Sequence, residues 1–306
     1  MLRVSEVLQT ATAAPPAPGK PARVRLERLG SLWFQVVGLL CNLECTHCLV
    51  DSSPRNETMA FLDRELARRT LREAESLGVK EIYFTGGEPF LHREMAGFLE
   101  DALGVAPATV LTNGTLITER IAQDLGRIAR GSRYSLEIRV SMDHPDPAEN
   151  DRVRGAGSHA KALRAVLRLQ DAGLLPIVTA TEYLLSPGLG RERPSSYDMF
   201  LRILTDAGVR RPRLKILPVF HIGKLEDPAS GGPVTEAMMA GIDPLFLQCA
   251  ETRVVAASGV YACPILVGKP EAHLGAGSLA VTRPEVSLAH HACRTCYETG
   301  LSCGNT

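Results

Sequence analysis

Six times between Ser31 and Val219 the chain enters an apolar, β-rich run, and stretches with helical spacing separate the runs. This alternation restricts the fold more than any other feature. Strands and helices in strict alternation build a parallel sheet, because each helical crossover returns the chain in the same direction. The first run, Leu32–Leu40, ends directly on Cys41. Asp63–Leu77 follows, with Leu66, Leu71, Ala74 and Leu77 on one face, an Asp at its start and Gly78 at its end, the marks of a capped amphipathic helix. Strand Glu81–Thr85 runs into Gly86-Gly87-Glu88-Pro89. Helix Glu94–Leu103, strand Thr109–Thr112, helix Thr118–Ala129, strand Tyr134–Met142 and helix Ser158–Ala172 come next. Strand Pro176–Leu184, helix Tyr197–Ala207 and strand Arg213–Val219 complete the series. The expectation is an α/β fold, a partial (βα)6 barrel of parallel strands, with its reactive groups at the carboxyl ends of the strands.

Both flanks lack this rhythm. Residues 1–30 read as a flexible N-terminal arm, since Ala11–Pro18 is too rich in Pro for a helix. Residues 31–220 are the barrel, and 221–306 divide into a Gly/Pro-rich linker and a small Cys-rich C-terminal extension from about Gln248. Hydrophobic residues make up 45% of the chain, which excludes a mostly disordered protein. With 34 basic against 34 acidic side chains, a nucleic-acid binder working through a basic surface is not expected. No apolar run reaches the roughly 18 residues of a membrane span, and the N-terminus has no apolar signal core. The expected location is cytoplasmic, with no membrane partner.

The eight cysteines stand at 41, 45, 48, 249, 263, 293, 296 and 303, in two groups two hundred residues apart. In a reducing compartment, clustered thiols bind metal or do redox chemistry more often than they form disulfides. Cys41, Cys45 and Cys48 fall within eight residues on the loop after the first strand. Thiolates are soft ligands that suit iron–sulfur clusters or zinc. Three of them without an obvious fourth fit a 4Fe–4S cluster with one open iron. A structural zinc site or unligated buried thiols are the alternative readings of the same spacing.

The Cys-x3-Cys-x2-Cys loop after strand one resembles the cluster motif of the radical S-adenosylmethionine (SAM) superfamily, with His47 where that family commonly has an aromatic residue. Gly86-Gly87-Glu88-Pro89 is similar to the family's GGEP motif, which binds the SAM amino group. Two glycines allow a close backbone approach, and Glu88 offers an anionic acceptor. Thr112-Asn113-Gly114 matches a turn frequent in the family, and Ser141 and Asp143 end strand four where relatives hold the SAM ribose. Arg154 resembles an arginine that pairs with the SAM carboxylate, with Arg152 as its basic competitor. The resemblance spans about residues 31–220 and implies that Cys41, Cys45 and Cys48 hold a 4Fe–4S cluster. It further implies SAM contacts from Gly86, Gly87, Glu88, Pro89, Asn113, Ser141, Asp143 and Arg154. The reaction implied is reductive cleavage of SAM to a 5′-deoxyadenosyl radical that abstracts hydrogen from substrate, with a flavodoxin- or ferredoxin-like low-potential electron donor.

The second thiol group resembles the auxiliary-cluster extensions called SPASM and twitch domains. Five thiols remain after the barrel, enough for one further 4Fe–4S cluster. Cys249, Cys263, Cys293 and Cys296 follow the twitch order, with Cys303 as a substitute ligand, and a closed zinc site is the alternative. His290 and His291, just before Cys293, read as solvated.

Period two puts Glu137, Arg139 and Ser141 on one face of their strand, Arg213, Lys215 and Leu217 on another, and Thr179, Thr181 and Tyr183 on a third. These are the substrate-contact candidates, and Glu182 and His221 are candidate proton acceptors. No catalytic acid or base is assigned. The expected enzyme is a radical SAM oxidoreductase or maturase that carries out a two-electron oxidation. A short arm without room for a fused recognition domain favours a small-molecule substrate. The alternative is a peptide- or protein-modifying maturase, and further off a non-catalytic iron–sulfur or zinc redox protein.

Overall fold

The computed structural model describes residues 19–182, 195–279 and 285–300. In chain order, β1 (Arg23–Val24) and β2 (Ser31–Gln35) precede α1 (Arg64–Ser76), β3 (Glu81–Thr85), α2 (Met95–Ala102), β4 (Ala108–Thr112) and α3 (Glu119–Gly131). Then come β5 (Leu136–Ser141), α4 (Pro147–Arg154), α5 (Ser158–Asp171), β6 (Ile177–Thr181), α6 (Ser196–Asp206) and β7 (Leu214–Leu217). The C-terminal part holds α7 (Glu236–Met239), β8 (Thr252–Ala256), β9 (Gly259–Tyr261), β10 (Val286–Ser287) and α8 (Ala292–Thr299).

Strands β2 to β7 pair in parallel and in sequence order, each crossing to the next through at least one helix. This is the expected partial barrel. Helix starts follow local chemistry: Asp63, Thr118 and Ser195 each accept a backbone N–H from the first turn of α1, α3 and α6. Alternate strand residues serve two cores. Leu32, Phe34, Ile82, Phe84, Val110, Ile138 and Val140 pack against the helices. Trp33 and Tyr83 point to the barrel interior, where their rings stack at 4.3 Å.

One expectation changes at the flanks. The end of the presumed flexible arm is built into the fold from Pro21 on. Val24 pairs with Val286, Leu288 N donates to the Ala22 carbonyl, and Ala22, Val24, Leu26 and Leu29 are buried. Alternation of apolar residues from Ala22 gives this segment one face to bury. The Cys-rich C-terminal extension joins the barrel sheet. Strand β8 pairs in parallel with β2, Ser31 opposite Thr252, and β9 turns back on it as a hairpin, so the sheet has eight strands. Helix α4 is an addition to the expected elements, capped by Asp146 with Pro147 in its first turn.

Candidate functional site

The carboxyl ends of β2 to β7 surround a cavity of about 250 Å³. Cys41, Cys45 and Cys48 line it from the loop after β2, joined by Gly86 and Gly87 after β3, Asn113 after β4, Ser141 at the end of β5, and Arg154 at the end of α4. The GGEP loop lies directly on the thiol loop: Gly87 N donates to Gly38 O at 3.1 Å, and Glu88 N to Leu40 O at 3.1 Å. A Cβ on Gly87 would stand 1.8 Å from the Leu40 carbonyl oxygen, so only glycine permits this approach. Gly86 adds a φ of +154°.

Glu88 and Pro89 do not reach the cavity. The Glu88 side chain is fully buried, turned the other way, and accepts from Thr112 Oγ1 at 2.7 Å, Asn113 N at 2.8 Å and Phe90 N at 3.1 Å. The carboxylate expected to meet an ammonium is instead a brace that holds the Thr112-Asn113-Gly114 turn. Burial pushes its pKa up to about 7, against the pull of those three donors.

Asp143 also departs from its expected ribose contact. It has no exposed surface and lies behind the cavity wall. Its Oδ1 accepts from the backbone N and Oγ1 of Thr181, both at 3.0 Å. Its Oδ2 lies 2.6 Å from Arg154 Nε and 2.8 Å from His47 Nε2. Burial raises its pKa, but Arg154 and His47 outweigh that and hold the carboxyl well below the usual range. Period-two counting stops at Ser141, where β5 ends, and the next turn of chain carries Asp143 inward. Arg152 is exposed and pairs with Glu149, leaving Arg154 as the arginine at the cavity.

Burial pushes the Cys41 thiol up to about 12 and raises that of Cys45, with Arg154 opposing the latter. Burial thus favours the neutral thiols of Cys41 and Cys45, and metal binding there would release their protons. Leu43 N, Ser52 N and Asn113 Nδ2 point at the sulfurs of Cys41 and Cys48, as donors do around ligating thiolates. A single zinc ion at ~2.3 Å from each sulfur would bring its thiolates to about 3.8 Å from one another. Among the described residues no three cysteine sulfurs come within 4.8 Å.

The remaining wall carries the strand residues. Arg139, Thr179, Thr181 and Leu217 line the cavity, as do Trp33, Gln35, Leu111 and Ile265, which sequence reasoning did not single out. Trp33 and Gln35 were detectable from the parity of β2. Glu137 holds the buried Arg139 at 3.0 Å and the exposed Arg213 at 3.0 Å, one carboxylate shared by two guanidinium groups. Lys215 is half-buried outside the cavity wall, Glu182 and His221 are exposed, and Tyr183 lies outside the described residues.

The second thiol group converges on a cavity of its own. Cys249, Cys263, Cys293 and Cys296 share it with Leu247, Ile265, Leu266, Val286, Leu288 and Ala292. Cys293 and Cys296 lie three residues apart on α8 and so face the same way. Burial pushes Cys249 up to about 12 and raises Cys263 and Cys293. Arg253, fully buried, donates to the Cys249 carbonyl at 3.0 Å. Ile265 lines both cavities and separates them. Cys303 lies outside the described residues. His290, His291 and Glu226 bring ligand atoms within 4.8 Å of one another, with Glu226 held by Lys269 at 2.6 Å and His291 Nε2 2.7 Å from the His221 carbonyl oxygen.

The model of the Radical SAM superfamily matches residues 36–200. A GTP 3′,8-cyclase of Tolumonas auensis is 29% identical over 147 residues, 47% of this chain and 42% of that protein. The mycofactocin maturase MftC of Mycolicibacterium smegmatis is 29% identical over 172 residues, 55% of this chain and 40% of the maturase. The chain thus matches less than half the length of either relative. Among solved structures, Streptococcus suis SuiB bound to its precursor peptide SuiA superposes with a TM-score of 0.61 at 14% identity, over 85% of this chain and 66% of SuiB.

Proposed function

The chain belongs to the radical SAM superfamily, whose enzymes bind a 4Fe–4S cluster and SAM, and from that premise we propose that it oxidises a peptide or protein substrate by two electrons with the help of one auxiliary 4Fe–4S cluster. The observation that carries this reading is the presence of two thiol sets on two cavities with only Ile265 shared between them. Cys41, Cys45 and Cys48 hold the first cluster. Bound there, such a cluster would supply the electron for reductive cleavage of SAM.

The protein's own part is to bind, orient and exclude water. Gly86 and Gly87 leave room for the amino acid end of SAM. The Arg154 guanidinium meets the SAM carboxylate, Ser141 the ribose, and Asn113 braces the thiol loop through Asn42 at 2.9 Å. The stacked Trp33 and Tyr83 fill the barrel floor and keep water from it. Cys249, Cys263, Cys293 and Cys296, a twitch-like set, hold the auxiliary cluster, which supplies an acceptor for the second electron of the oxidation. The external electron source is a flavodoxin- or ferredoxin-like protein.

SuiB, bound to a precursor peptide and alike in fold over 85% of this chain, supports a peptide substrate. A small molecule is the second reading, supported by the GTP 3′,8-cyclase relatives. Anaerobic reconstitution is expected to load about eight irons per chain, and about four after Cys41, Cys45 and Cys48 are changed to Ala. The reduced holoenzyme is expected to release 5′-deoxyadenosine from SAM. Changing Cys293 and Cys296 to Ser keeps that release and abolishes the oxidised product. Retention of all iron in the triple variant, or full product from the double one, refutes the corresponding assignment.

A further inference from the structure

Asp143 is a fully buried carboxylate that the reaction itself does not use, yet three parts of the fold meet on it. Its backbone N donates to Asn150 Oδ1 of α4 at 3.0 Å. Oδ1 is taken by the N–H and hydroxyl of Thr181 at the end of β6. Oδ2 is left for Arg154 Nε at 2.6 Å and His47 Nε2 at 2.8 Å. His47 stands between Cys45 and Cys48, and Arg154 Nη1 lies 4.0 Å from Cys45 Sγ. One carboxylate therefore ties the thiol loop, the end of β6 and the last turn of α4 to one another.

The consequence follows from the shape of the guanidinium. Arginine offers five N–H donors in a rigid plane, and two parallel donors are what a carboxylate ligand accepts best. With Nε against Asp143 and Nη1 4.0 Å from Cys45 Sγ, the Arg154 side chain is part of the cavity wall. A long side chain that would lose rotamer freedom on binding has lost it beforehand. We propose that Asp143 is a positioning residue for SAM: it fixes the Arg154 guanidinium for the SAM carboxylate and couples that fixation to the thiol loop through His47. The inference rests on the reading of Arg154 as the carboxylate partner.

The test is SAM affinity of the anaerobically reconstituted holoenzyme, measured by equilibrium dialysis with labelled SAM beside an iron count. Asp143→Asn and Arg154→Gln are each expected to keep their iron and to weaken SAM binding about tenfold or more. The double variant is expected to bind no more weakly than Arg154→Gln alone, since both changes remove one interaction. A merely structural Asp143 would instead give losses that multiply. Wild-type affinity in Asp143→Asn, or multiplying losses, overturns the proposal. Wild-type affinity in Arg154→Gln overturns the reading of Arg154 on which it rests. If Asp143→Asn loses its fold or iron, Thr181→Val decides. That change deletes one bond to Oδ1 and is expected to weaken SAM about threefold on its own, with no further loss when it is added to Arg154→Gln. Unchanged affinity there also overturns the proposal.

Discussion

A carboxylate with no exposed surface is retained only where donors meet it, and Glu88 has three, from Thr112, Asn113 and Phe90. Their pull falls short of the burial penalty, so its pKa rises from 4.5 to about 7. The sign of the pH dependence follows. Between these values the folded protein holds a proton that the unfolded chain has released. The stabilisation is complete below about pH 4.5 and is lost as the pH rises through about 7, a change of about 3 kcal/mol at most. Denaturant titrations between pH 5 and 8 are expected to show this fall in the wild type. A Glu88→Gln variant at the same iron loading lacks it, and an equal slope in both proteins would assign the fall to other groups. The same residue marks where a motif misleads: GGEP draws attention to its charged member, whereas Gly87, with Leu40 O where its Cβ would be, carries the steric demand. Gly87→Ala is expected to displace the thiol loop and lower the iron bound at Cys41, Cys45 and Cys48, read by iron analysis.

Helix α4 shows what a sequence says about elements and what it withholds. Asp146 caps it with one carboxylate oxygen that accepts from Ala148 N at 2.8 Å and Glu149 N at 3.2 Å, and Pro147 opens its first turn. Asp-Pro is a helix-start signal, legible in principle, yet eight residues with little apolar periodicity pass for a loop. Asp146→Ala is expected to cost about 1 kcal/mol of stability. Because α4 ends on Arg154, it is also expected to weaken SAM binding a few-fold, whereas a surface change such as Glu149→Ala leaves binding unchanged. The six barrel strands and their helices were readable because each signal is local: a cap, a period, a terminating glycine. Asp63 and Thr118 begin their helices where the sequence reading starts them, and Ser195 two residues before. Strand β8 was not readable in that way. Val254 and Val255 look like strand residues, but their parallel partner Trp33-Phe34 lies some two hundred residues earlier, and only tertiary packing selects it. The buried place of Asp143 was not readable either, since its ribose role came from the resemblance and strand parity gives a direction only within β5, which ends at Ser141.

At the scale of the whole molecule, the early chain and the late chain close on each other over the second thiol cavity. Strand β1 pairs with β10, and Ala22 and Val24 join Val234, Leu247, Ala250 and Leu288 in a small apolar core that touches Cys249, Cys293 and Cys296. This core is separate from the helix-backed core of the barrel, which holds β2 to β7 without it. The two thiol sites therefore have unequal dependence on the arm. Val24 is 1% exposed, so Val24→Asp buries an unpaired charge and costs several kcal/mol, or about 3 kcal/mol as a lower figure. That cost falls on the second core. The expected outcome is loss of about four of the eight irons, with SAM cleavage to 5′-deoxyadenosine preserved and the oxidised product gone. Arg25→Ala is the control: its ion pair with Glu285 is exposed, worth at most about 1 kcal/mol, and its loss leaves the iron count unchanged. Full iron in Val24→Asp would mean that α8 and the β8–β9 hairpin hold the four thiols together without the arm. Loss of all iron would mean that the barrel and the tail fold as one cooperative unit, as the pairing of β8 on β2 permits.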